Sequence, residues 1–106
     1  LHQISRGFWR DHIHWHEGGL ALSRDQGRRR AEAPRLNNIG WAYRATGRPA
    51  EALALYEEAL PIMREVIDRA GEAATLANMA VLLAQMERAP QAIARLIEGT
   101  AVMRDT

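Results

Sequence analysis

Residues 36–60 read LNNIGWAYRATGRPAEALALYEEAL, and residues 76–100, which lie 40 positions later, read LANMAVLLAQMERAPQAIARLIEGT. Over residues 36–66 and 76–106, eight of 31 paired positions are identical. The first members of these pairs are Leu36, Asn38, Arg48, Ala52, Ala54, Glu58, Met63 and Arg64. A fixed period of roughly 20 to 50 residues indicates stacked units, each burying its apolar face against its neighbours. The repeat therefore favours a binding scaffold over an enzyme.

The same offset extends backwards into the first third of the chain. Glu17, Leu20, Arg24, Arg29, Glu32 and Ala33 recur 40 residues later. We therefore predict one domain made of a partial repeat at 1–30 and repeats at 31–70 and 71–106. On this alignment residues 1–6 correspond to a helical part of the next unit, so we expect a piece of a longer array.

Composition excludes several functional classes. The chain has 106 residues, a formal net charge of +1 and no cysteine, and all 14 basic residues are arginine. A near-neutral balance does not favour nucleic acid or an anionic membrane as partner. Without cysteine there is no disulfide framework, which is compatible with a reducing compartment. No apolar run approaches the ~20 residues of a membrane span, and no signal peptide is recognisable. We expect a cytoplasmic protein.

Apolar residues at steps of three and four predict amphipathic helices throughout. The predicted bounds are Phe8–Arg28, Ala31–Thr46, Pro49–Asp68, Glu72–Glu87 and a last helix that starts near Pro90. Gly47 and Gly71 are the expected terminators, because glycine adopts the left-handed conformation of a helix C-terminus. Pro61 removes one donor from its helix, and we expect a bend there. The pattern predicts an all-α fold.

The spacing Leu36-x-x-Ile39-Gly40-x-x-Tyr43, followed by Gly47, Ala52-x-x-x-Tyr56 and Ala59, resembles the tetratricopeptide repeat. The second unit matches less well, since Glu87 replaces the turn glycine and Gly99 the later alanine. Long second helices, and the segments 59–62 and 71–78, are similar to the kinesin-light-chain-like subgroup and to bacterial regulatory proteins. The resemblance implies a right-handed superhelical stack of antiparallel helix pairs with a concave, peptide-binding groove.

The groove of such a stack would be lined by the first helix of each unit. Asn38 and Asn78 occupy equivalent positions, and asparagine amides can pair with the main chain of an extended peptide. Alternatively, each amide bonds a neighbouring helix and fixes the stacking. The predicted peptide-binding residues are Asn37, Asn38, Trp41, Arg44, Asn78, Val81 and Gln85. Trp41 is the candidate anchor, with packing against the adjacent unit as the alternative. Arg44 is a candidate partner for a ligand carboxylate or a solvated charge.

Three histidines on the first helix raise the question of a metal site. His12 and His16 share a helix face, whereas His14 points elsewhere. Zinc needs three or four ligands, so we favour an interhelix contact with a preceding helix and predict no metal or cofactor. The alignment supports this, since it places His12 opposite Ala52 and His16 opposite Tyr56.

The basic run Arg28–Arg30 is interpreted as compensation of a helix C-terminus, because acidic residues interrupt it and no aromatic platform accompanies it. No phosphate loop, nucleophile set or carboxylate pair can be assembled, so we predict no enzymatic activity. We predict a protein- or peptide-binding scaffold within a larger regulatory protein. Self-association through exposed repeat ends is the alternative, and a histidine metal site is a weaker one.

Overall fold

The computed structural model describes residues 6–105, and this part of the chain folds into five α-helices without a strand. The helices are α1 (Arg6–Asp25), α2 (Arg29–Ala45), α3 (Pro49–Glu65), α4 (Arg69–Gln85) and α5 (Ala89–Arg104). Each packs against its neighbours in the chain, which makes a layered helical array and confirms the predicted all-α class. The expected helical continuation through residues 1–5 lies outside the described residues, as does Thr106.

The four connections between helices share one backbone geometry. The residues with positive φ are Gly27, Gly47, Ile67 and Glu87, at φ values of 68°, 77°, 57° and 59°. In the second turn the Arg48 amide donates to the Tyr43 carbonyl at 2.8 Å, and the Gly47 amide donates to Arg44 at 3.1 Å. The same pair of bonds recurs at the other three turns. This is the Schellman arrangement, which satisfies the last carbonyls of each helix.

The sequence interpretation of Gly71 as a helix terminator is wrong. The left-handed residue after α3 is Ile67, so α3 ends at Glu65 rather than at Asp68. Gly71 lies in the first turn of α4, where its amide donates to Asp68 Oδ1 at 2.9 Å. The aspartate caps the helix by satisfying an amide that has no intrahelical partner. α3 continues through Pro61, and the bend expected there stays a prediction.

Two apolar clusters, joined by the half-buried Tyr43, form the core between the helices. Tyr56 of α3 is fully buried and faces Gly40 of α2, where an added Cβ would lie only 3.1 Å from Tyr56 Cε1 and 3.4 Å from the Ala52 carbonyl oxygen. Gly40 therefore allows the close approach of α2 and α3 that the repeat pattern predicts. Burial raises the pKa of Tyr56, and its hydroxyl has no hydrogen-bond partner among the described residues.

Buried carboxylates joined to arginines link successive helices. Glu32 accepts from Arg24 at 3.0 Å and from Arg29 at 2.7 Å, and Arg24 also pairs with Glu58. Forty residues later, Glu72 accepts from Arg64 and Arg69, and Arg64 also reaches Glu98. The interpretation of this basic region as compensation of a helix C-terminus is therefore incomplete, because Arg24 binds Glu32 of α2 and Arg29 binds Glu65 of α3.

Candidate peptide-binding surface

The exposed side of α2 and α4 carries most of the predicted groove residues. On α2 the exposed positions include Asn38 and Trp41, and on α4 they include Val81 and Gln85. They recur at three- and four-residue steps, which places them along one face of each helix. By the 40-residue offset, Asn38 of α2 corresponds to Asn78 of α4, which is half-buried. Trp41 corresponds to Val81 in the same way. We call these five residues the groove face.

The two equivalent asparagines, Asn38 and Asn78, differ from Asn37 in their contacts. Within residues 6–105 neither Asn38 nor Asn78 forms a side-chain hydrogen bond. Asn37 differs, because its amide Nδ2 lies 3.2 Å from the Thr75 hydroxyl and donates to it across the gap between α2 and α4. Thr75 is buried and also contacts Met63 Sδ at 3.1 Å. Asn37 therefore fixes the spacing of the two helices, a role that the sequence did not separate from that of Asn38.

Trp41 packs against α1 and also keeps part of its ring exposed. Its ring centroid lies 5.1 Å from that of Trp9 and 6.2 Å from that of His12, so it packs against α1. It nevertheless remains 49% exposed, and Val81 remains 40% exposed. A ring that is held in place on one side and open on the other is preorganised for binding, since little side-chain freedom is lost when a partner arrives. Arg44 lies beside these residues and is half-buried.

An aromatic cluster on α1 extends the groove face beyond Trp41. Its members are Phe8, Trp9, His12, Trp15, His16 and Trp41, and neighbouring rings lie 4.6 to 6.2 Å apart. Arg35 of α2 covers Trp15, with its guanidinium carbon 4.6 Å from the ring centroid. A cation over an aromatic face is a favourable contact. The sequence did not predict the contact between this cluster and Trp41.

Among residues 6–105, His12 and His16 make contact with α2, the following helix. The predicted contact with a preceding helix lies outside the described residues. Arg35 Nη1 donates to His16 Nδ1 at 3.0 Å, so the proton of the neutral ring is assigned to Nε2. Burial, then His12 and Arg35, lower the pKa of His16. His12 and His16 lie 4.6 Å apart as rings, and no group of three or more His, Cys, Asp or Glu side chains suitable for a metal forms within residues 6–105. The donor set is therefore too small for zinc, and one of its nitrogens already faces a guanidinium.

Clefts between the helices repeat with the sequence period. A cleft of about 540 Å³ beside α1 contains Ile13, Glu17, Tyr43 and Arg48 in its lining. A second cleft of about 400 Å³ contains their equivalents Leu53, Glu57, Leu83 and Arg88. Both clefts are open grooves between helices.

The layered array of helices places the chain in the class of helical repeat proteins. A family model for the tetratricopeptide repeat matches residues 6–65 and 36–105. The chain belongs to the tetratricopeptide repeat family, a non-catalytic family whose repeats generally mediate protein–protein interaction. No curated protein matches the chain. Among residues 6–105, no helix is long and apolar enough to cross a membrane.

Proposed function

We propose that the protein is a scaffold module that binds an extended peptide of another protein along the groove face. The observation that carries the proposal is the pair Asn38 and Asn78, whose amides lie at equivalent positions of successive units and make no hydrogen bond within residues 6–105. An asparagine amide both donates and accepts, so two of them in register can pair with the peptide main chain.

Side-chain selection would come from the residues beside the asparagines. Trp41 offers a held aromatic surface, and Trp is common among residues that dominate binding energy. Val81 and Gln85 offer a smaller apolar contact and a second amide on α4. Arg44 is proposed to contact a ligand carboxylate, and Asn37 to position α2 against α4 through Thr75. The kinesin-light-chain-like or bacterial regulatory parentage and the cytoplasmic location stay predictions.

The test is direct binding of peptides selected on the immobilised protein from a random extended-peptide library. Fluorescence anisotropy would compare wild type with the Asn38→Ala/Asn78→Ala double variant. Two lost hydrogen bonds at about 0.5–1.5 kcal/mol each predict a loss of affinity of about 5-fold to 160-fold. The loss is expected for peptides of different sequence, because the amides would contact the main chain.

The matched control is Gln26→Ala, which removes an exposed amide in the turn between α1 and α2. It should leave binding unchanged. Equal affinities of the double variant and wild type would reject the groove proposal. Self-association through exposed repeat ends is the second candidate, since Ile93 and Leu96 of α5 are exposed. It predicts oligomers by light scattering that persist in the double variant.

A further inference from the structure

Arg35 of α2 lies against one face of α1, between three residues of that helix. Its Nη1 donates to His16 Nδ1 at 3.0 Å, and its guanidinium carbon lies 4.6 Å from the ring centroid of Trp15. Gly19 leaves the space for the guanidinium, because a Cβ added there would lie only 2.6 Å from Arg35 Cζ and Nε. We call Trp15, His16 and Gly19 the arginine seat.

The arginine seat differs from the other arginine contacts between helices in the nature of its acceptor. Arg24 and Arg64 each bind a buried carboxylate of the following helix. Arg35 forms no ion pair with any residue of the described range 6–105, and it donates instead to a neutral imidazole. A carboxylate keeps its charge down to about pH 4, whereas an imidazole titrates near about pH 6.5. The contact of Arg35 should therefore change in a pH range where the carboxylate contacts do not.

Protonation of His16 is incompatible with this contact. The side chain is buried, and an imidazolium has no free lone pair with which to accept from Arg35. Protonation would also place two cations within hydrogen-bond distance in a desolvated site, which is unfavourable. His12 is the other titratable group that faces the ring, with the ring centroids 4.6 Å apart, and it brings no negative charge. A proton on His16 therefore displaces Arg35 from the seat.

The same helix connects the arginine seat to the groove face. Trp41 packs on α1 with its ring centroid 6.2 Å from that of His12 and 5.1 Å from that of Trp9. These two residues lie one and two helical turns before His16, so they move with the seat. The position of Trp41 therefore depends on how α1 lies on α2.

We propose that the arginine seat is a pH-sensitive switch that regulates peptide binding at the groove face. With His16 neutral, Arg35 fixes α1 against α2, and Trp41 is held for the peptide. With His16 protonated, Arg35 leaves the seat, α1 loosens from α2, and the ring of Trp41 loses its support. The peptide then binds more weakly at acidic pH. This regulation rests on the proposed peptide-binding function, whereas the response of Trp41 can be measured without a peptide.

The first experiment follows the tryptophan indole N–H resonances of the ¹⁵N-labelled chain by NMR as the pH falls from about 8 to 5. We expect the Trp15 and Trp41 resonances to shift along the titration curve of the His16 ring. His16→Asn keeps an acceptor near the place of Nδ1 but cannot be protonated, so both shifts should be lost. His14→Asn changes an exposed histidine of the same helix and should titrate like wild type.

A matched pair of glycine variants tests the seat independently of the titration. Gly19→Ala places a methyl group where the guanidinium of Arg35 lies, and it should displace that flexible side chain without unfolding the protein. Gly18→Ala raises helix propensity equally, but its added Cβ would meet no other helix of residues 6–105 within 4 Å. At neutral pH, Gly19→Ala should therefore move the Trp41 resonance towards its acidic position, and Gly18→Ala should not.

Peptide binding measures the regulation itself. For a peptide selected at neutral pH and lacking titratable side chains, anisotropy should show an affinity at least about threefold weaker near pH 5.5 in wild type, because only molecules with a held Trp41 bind fully. In His16→Asn the affinities at the two pH values should agree within about twofold. Gly19→Ala should bind weakly at both.

Three results would overturn the proposal. One is a Trp41 resonance that titrates in His16→Asn as it does in wild type. Another is a Trp15 resonance that follows His16 while Trp41 stays constant, which would confine the change to the seat. The third is a pH-independent peptide affinity in wild type. If no peptide is selected at all, the peptide-binding function fails, and with it the regulation, although the resonances still decide whether the seat moves Trp41.

Discussion

The pairs α2–α3 and α4–α5 share a backbone and a sequence pattern, yet their outer helices lie in different environments. Tyr56 of α3 lies between α2 and α4 and is fully buried, whereas Leu96 at the same position of α5 is half-exposed. The comparison shows that an apolar residue in a repeat array gains its packing energy only when the next helix is present. Equivalent residues therefore need not contribute equally to stability.

The largest expected effect separates these two residues. Tyr56→Ala removes a fully buried aromatic ring and should lower the free energy of unfolding by about 3–5 kcal/mol. Leu96→Ala should cost less than about 1 kcal/mol, because half of the side chain is already in water. Urea unfolding followed by circular dichroism would measure both values. Similar losses for the two variants would mean that the α5 face is covered in solution.

A smaller effect tests a feature in which the two pairs should be alike. Glu32→Ala and Glu72→Ala each remove a buried carboxylate that accepts from two arginines. Each substitution should lower the free energy of unfolding by about 1–2 kcal/mol. Loss of a fully buried ion-pair network would cost more, but here the arginines are half-exposed and screened by solvent. The same urea titration applies, with exposed Glu17→Ala as control. A difference of more than about 1 kcal/mol between the two would contradict their equivalence.

The turns should respond in opposite directions to exchange of their left-handed residues. Ile67→Gly relieves a β-branched residue at φ 57° and should raise the free energy of unfolding by about 1 kcal/mol. Gly47→Ala places a side chain at φ 77°, where space is open but the backbone is unfavourable, and should lower it by about 1 kcal/mol. Differential scanning calorimetry would detect both shifts. Unchanged midpoints would show that the two turns relax without cost.

The smallest effect concerns pH and distinguishes α1 from the later helices. The pKa of His16 is lowered in the folded protein, so the unfolded chain binds the proton more readily. The contribution of His16 is fully present above about pH 6.5 and declines as the pH falls towards the folded pKa. His12 and Arg35 face the ring, and Trp15 contacts it. Unfolding midpoints between pH 7 and 5 should therefore fall more in wild type than in His16→Phe.

The surface ion pair between Arg29 of α2 and Glu65 of α3 affects stability at a lower pH than His16 does. Hydrogen bonding to Arg29 lowers the pKa of Glu65, and Glu65 and Glu32 in turn raise the pKa of Arg29. The contribution of Glu65 is present above its unfolded pKa of about 4.5 and is lost only below it. The effect of His16 on the unfolding midpoint can therefore be measured between pH 7 and 5 without interference from Glu65.

The helical array could be predicted from residues 36–60 because a stripe at three- and four-residue steps has no other regular solution. The predicted helix ends were less accurate, since Ile67 adopts a left-handed conformation that is unusual for isoleucine. Burial within a helix follows its register, so exposure of Asn38 was predictable. The contacts of Asn37 with Thr75 and of Arg35 with His16 were not, because they join helices whose relative placement depends on packing of the whole core.

The four identical turns have a further consequence for how the molecule can change. Left-handed residues recur every 20 positions, whereas related side chains recur every 40. The turn geometry therefore repeats at half the interval of the side-chain pattern. Loss or gain of one helix with its turn would leave every remaining joint geometrically intact but would exchange groove-lining helices for outer ones. A length change that preserves the alternation of the two helix types must therefore add or remove two helices at a time. The turn geometry alone would also allow a single helix to be added or removed.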